Sequence, residues 1–124
     1  MPVKSLFPTR VYTAKLEPGA SGTSASGLNT RLLRECRQLA LDDGAGRTWS
    51  RTNYPGGYTS YSSASRMHQM SPTFAQLQKR IDVHVRRFAA AHDFDLTGRQ
   101  LAMTDCWVDV MNRALYPDRP WPAP

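Results

Sequence analysis

The sequence predicts an α+β domain in which two main helices pack on a small antiparallel sheet. Three observations point there. Apolar residues recur at the 3.6-residue helical period in two long stretches. Two other stretches alternate apolar and polar residues as half-buried strands do. Capping and turn residues punctuate the boundaries between them. The chain has 124 residues, enough for one domain with a modest core.

The first strand signal covers residues 6–16. Tyr12, Ala14 and Leu16 fall on one face, and Val11, Thr13 and Lys15 on the other. Pro8 suits an edge or starting position, because it has no N–H for a ladder. Residues 18–27 form a Gly/Ser/Ala linker. The first helix covers residues 28–41, with Leu28, Leu32, Leu33, Cys36, Leu39 and Ala40 on one face. Asp42-Asp43-Gly44 ends it, with Gly44 expected as the C-terminal cap.

Residues 45–70 read as a long polar loop rich in Gly, Ser and Tyr. Loops of this length are uncommon unless they serve a site. Trp49, Tyr54, Tyr58 and Tyr61 leave two readings open: a surface excursion pinned by rings, or a wall over a pocket. Ser71-Pro72 then opens the second helix, Ser as cap and Pro at the first helical position. Phe74, Leu77, Ile81, Val85 and Phe88 follow at helical spacing, opposite Lys79, Arg80, Arg86 and Arg87. This helix should end near His92. The second strand signal is residues 101–111. Ala102, Thr104, Cys106, Val108 and Val110 make a small or apolar face for the core. Leu101, Met103, Asp105, Trp107, Asp109 and Met111 make the other, a mixture expected to line a cavity.

Hydrophobic residues are 40% and charged residues 21%, a soluble, globular balance. No apolar run approaches the length of a membrane span. Residues 1–11 hold too short an apolar stretch for a secretory signal, so a cytoplasmic location is expected. Cys36 and Cys106 lack metal or redox spacing and read as buried thiols. The net charge of +6 permits attraction to nucleic acid or an acidic protein. Arg31, Arg34 and Arg37 form the one basic stripe at helical spacing. It reads as a solvated helix face, or as the contact surface of a small basic interaction module. Zinc-finger spacing and RNA-binding aromatic signatures are both absent.

The chemistry-bearing residues are sparse. His84 and His92 lie about 80° apart around a helix axis and make no two-turn ligand pair. With His68 they are expected at the surface or its boundary. Asp105 and Asp109 share a strand face about 13 Å apart, too far for a glycosidase carboxylate pair. Pro55-Gly56-Gly57 is a turn signal rather than a phosphate loop, since no helix opens directly after it.

Taken in order and at their spacing, LFPT (6–9), the helix with Asn29, GGYTSY (56–61), SPTFAQL (71–77) and TDCWVDVM (104–111) resemble a bacterial family of 2-oxoglutarate/Fe(II)-dependent oxygenases. The resemblance covers residues 3–111. It implies the N-terminal portion of a double-stranded β-helix, or jelly roll. In such a family two His and a carboxylate hold iron, 2-oxoglutarate chelates it, and open metal positions suit O₂ chemistry. The family's first metal ligands follow the Trp strand. Here residues 112–124 instead form a divergent Pro-rich tail without His, and Asp109 stands where the family usually has Asn. The resemblance therefore implies a chain truncated before its metal ligands and inactive alone, with no cofactor of its own. Trp107, Asp109 and Met111, with Tyr58 and Ser60, are the expected cavity lining. The strand 101–111 would have an exposed edge and would invite self-association.

Overall fold

The computed structural model describes residues 2–16, 27–92 and 94–111. Among these, four helices and one two-stranded antiparallel sheet make a small α+β domain. In chain order they are α1 (Leu28–Asp42), α2 (Gly44–Asn53), β1 (Gly57–Thr59), α3 (Met67–Met70), α4 (Pro72–Ala90) and β2 (Asp109–Met111). The tail 112–124 and most of the 18–27 linker lie outside the described residues. No helix is long and apolar enough to cross a membrane among the described residues.

The fold class holds, but the sheet is built from other segments than expected. β1 pairs with β2 in the register Gly57↔Met111, Tyr58↔Val110, Thr59↔Asp109. Residues 6–16 form no strand. Phe7 sits at φ 53°, in the left-handed region that breaks an extended run, and is almost fully exposed. The segment instead lies along α4 through side-chain bonds. The Arg10 guanidinium donates to the Ala91 carbonyl (3.1 Å), Tyr12 OH bonds His84 Nδ1 (2.7 Å), and Arg80 donates to the Leu16 carbonyl (3.1 Å). The segment touches that helix without forming a strand ladder.

The stretch 45–70 is not a structureless loop. It contains α2, β1 and α3. Gly44 is not a cap but the first residue of α2. Asp43 serves both helices: its N–H bonds the Leu39 carbonyl (2.9 Å) to close α1, and its side chain accepts from Gly46 N–H (3.0 Å) to open α2. A Cβ at Gly46 would overlap the Asp43 carboxylate and the Ser63 hydroxyl, so the cap requires glycine there. Ser71 caps α4 as read from the sequence, accepting from Phe74 N–H at 3.4 Å, with Pro72 beside it.

Of the segment 101–111, only Asp109–Met111 is strand. Upstream, Ser60 N–H donates to the Val108 carbonyl (2.8 Å), and Cys106 forms an isolated parallel bridge with Arg66. The inward face is as expected from Cys106 onward. Val108 joins Tyr58, Ala64, Met67 and Phe74 in the core, and Cys106 and Val110 pack against it with Leu32, Cys36, Leu39, Ala40 and Leu77. Ala102 and Thr104 stay exposed, as does Leu33 of α1.

Candidate functional site

The register separates the five residues expected to line one cavity. Tyr58 pairs with Val110, and Ser60 meets Val108, so both point to the core. Trp107, Asp109 and Met111 are exposed on the opposite face. Ser60 is fully buried and its bonding capacity is spent. Its Oγ donates to the Ala64 carbonyl (2.8 Å) and accepts from Val108 N–H (2.9 Å), and its own carbonyl accepts from Ala64 N–H (2.7 Å). Ser60 acts as a clamp between the turn after β1 and the approach to β2.

Tyr58 reaches across the core to Asp43, its OH donating to Oδ2 at 2.7 Å. The Ser63 hydroxyl donates to the same oxygen. Asp43 therefore gathers three donors: Gly46 N–H, Tyr58 OH and Ser63 OH. Burial alone would push the Asp43 carboxyl up. The bonds from Ser63, Gly46 and Tyr58, with the Arg47 charge, outweigh it and hold the carboxyl below its ordinary value. Tyr58 moves the opposite way: burial, then the bond to Asp43 and its charge, drive its phenol well above the ordinary value. A proton this firmly held on Tyr58 makes the pair a structural lock rather than an acid–base couple.

The outward face carries a row of rings. Tyr61 meets Trp107 edge-on (5.2 Å between centroids, 77°) and Trp49 at a tilt (5.9 Å, 46°). Trp49 and Tyr61 thus pack on the Trp107 side of the sheet, while Asp105 and Asp109 are exposed.

The histidines lie apart. His84 bonds Tyr12, and the His92 Nδ1–H donates to the Phe88 carbonyl (2.8 Å) with its ring between Phe88 and Phe94. His68 corrects the expectation of a surface or boundary position: it is 5% exposed, and neither ring nitrogen has a partner among the described residues. Among those residues no group of three or more His, Cys, Asp or Glu is placed to hold a metal ion. Cys36 and Cys106, seventy positions apart in the chain, meet at the same core as free, half-buried thiols. Burial pushes both thiols up. Glu35 and Cys106 add to the rise at Cys36, and the His68 backbone N–H opposes it at Cys106. Thiols of this kind are inert packing groups.

The basic stripe divides. Arg34 and Arg37 are exposed, whereas Arg31 is half-buried and donates to Gln76 Oε1 of α4 at 2.7 Å. Asp43 was hidden as a cap because Asp-Gly also marks a helix end. The second glycine three residues after Asp43 was the available signal, since an Asp cap bonds the N–H at that distance. A scan against protein-family models finds no match for this chain. A search of curated proteins also finds none.

Proposed function

We propose that this chain is the N-terminal scaffold of a 2-oxoglutarate/Fe(II)-oxygenase-like domain and performs no oxygenation by itself. The reading rests on the ordered motifs LFPT, GGYTSY, SPTFAQL and TDCWVDVM. The single structural observation that supports it is β2. The inward side chains around this strand close a core, one of its edges pairs with β1, and its other edge has no strand among the described residues. A strand of that kind is what further sheet would be added to. Trp107, Asp109 and Met111 would then face the interior of the larger fold, with the Trp49–Tyr61–Trp107 rings steadying that face.

The described residues do not fit iron. His68 is in the core, His84 is bonded to Tyr12 and His92 to the helix end, so no facial set of two His and a carboxylate forms among them. The test is to supply the purified chain with Fe(II), 2-oxoglutarate and ascorbate in air and to measure succinate. The expected result is no succinate above the protein-free rate. Turnover that depends on the chain overturns the scaffold reading.

A further inference from the structure

Away from the sheet, the end of α4 and the segment 94–101 enclose a cleft of about 400 Å³. That is within the range of small-molecule sites. Its apolar lining comes from Ala89, Phe94, Leu96 and Leu101, and two cations, Arg86 and Arg99, share it. Arginines near a helix C-terminus ordinarily bond its last carbonyls. Here other donors hold those carbonyls. Ala91 N–H bonds that of Arg87, the His92 ring that of Phe88, His92 N–H that of Ala89, and Arg10 that of Ala91. The Asp95 carboxylate accepts from Thr97 N–H. Asp82, one turn before Arg86 on α4, makes no bond to it. Among the described residues neither the Arg86 nor the Arg99 guanidinium has a hydrogen-bond or ion-pair partner.

A second cleft of about 430 Å³ runs along α4 past Tyr12, Ile81 and Phe88. Its polar groups are already used, Arg10 on Ala91 and His84 on Tyr12. Of these two clefts, the first joins an apolar wall to charge that has no partner among the described residues.

We infer that the cleft between the end of α4 and residues 94–101 binds a small amphipathic carboxylate. Its apolar chain lies on Phe94, Leu96 and Leu101, and its carboxylate pairs with Arg86 and Arg99. A guanidinium matches a carboxylate geometrically and binds it more strongly than a neutral group. This site is independent of the oxygenase reading.

The test uses decanoate as probe, with decan-1-ol and decyltrimethylammonium as controls, on the full chain by calorimetry and amide NMR. Decanoate should bind saturably, shift Ala89, Leu96 and Leu101, and exceed both controls by about tenfold or more. The exposed pair R86Q/R99Q should lower decanoate affinity by about tenfold, to the level of the alcohol, with the melting curve unchanged. Single R99Q, the milder variant, should give an intermediate affinity. Equal binding of decanoate and decanol overturns the proposal. So do shifts confined to Tyr12 and Ile81, undiminished affinity in the double variant, or no decanoate binding.

Discussion

Two polar side chains, the half-buried Asp43 and the buried His68, mark opposite ends of hydrogen-bond satisfaction. Asp43 has three donors around its carboxylate. Asp43→Ala removes a helix cap and strands Tyr58 OH in the core, and should cost about 2–3 kcal/mol in urea unfolding. The pH dependence follows from the lowered carboxyl. A folded-state value below the unfolded one, about 3.9, contributes stability that is complete above that value and is lost as pH falls through the folded value. Unfolding measured between pH 5 and about pH 2 should show this acid loss, and Asp43→Asn should flatten part of it. His68 is the converse case. Its ring is buried with both nitrogens unpartnered among the described residues. His68→Leu exchanges an unsatisfied polar ring for an apolar side chain of similar volume. It should stabilise the protein by about 1 kcal/mol, raising Tm by about 4 °C. A drop in Tm would mean that the imidazole finds a bond beyond the described residues.

At the level of elements, legibility followed the kind of signal each segment carries. α4 was readable because Ser71-Pro72 and a five-residue apolar stripe agree with each other. Ser71→Ala should cost about 1 kcal/mol by loss of the cap, part of it through the Glu35 carboxylate that its hydroxyl also bonds. α2 was hidden because Gly, Ser, Thr and Asn dominate Gly44–Asn53 and are weak helix formers. It is held by side-chain bonds instead: the Asp43 cap, and Ser50 Oγ, which donates to the Gly46 carbonyl (2.6 Å) and ties the helix to β1 by accepting from Thr59 N–H (3.0 Å). This reverses a familiar sign. Gly→Ala inside a helix usually stabilises by roughly 0.5–1 kcal/mol. Gly46→Ala should destabilise, because the new methyl overlaps Asp43 and Ser63. The strand alternation of 101–111 gave the buried face correctly from Cys106 onward. It could not give the partner, because pairing is a long-range choice, and the same alternation at 6–16 served only a helix contact. The residues expected to line one cavity divided for the same reason: the register of Tyr58 with Val110 and the bond of Ser60 to Val108 turn both away from Trp107.

At the scale of the whole molecule, the described residues join a small core to a sheet edge that none of their strands pairs. Seven hydrophobic residues are buried among the described ones, two of them alanine. Val3, Leu6, Phe7, Val11, Leu41 and Phe94 are meanwhile exposed. A core of that size leaves little margin over the conformational entropy lost on folding. β2 adds backbone groups with no strand partner on one side among the described residues, which is a template for pairing with another copy. The chain should therefore melt at a temperature that rises with protein concentration, since association stabilises whatever folded form associates. Sedimentation velocity across a concentration series should show monomer passing to dimer. Met111→Lys places a charge on the exposed end of β2 and should shift that equilibrium toward monomer by about tenfold or more, while leaving the inward residues Val108 and Val110 intact. A chain that stays monomeric at all concentrations, with one sharp transition at high temperature, would show that the β2 edge is already covered. The scaffold reading would then lose its structural support.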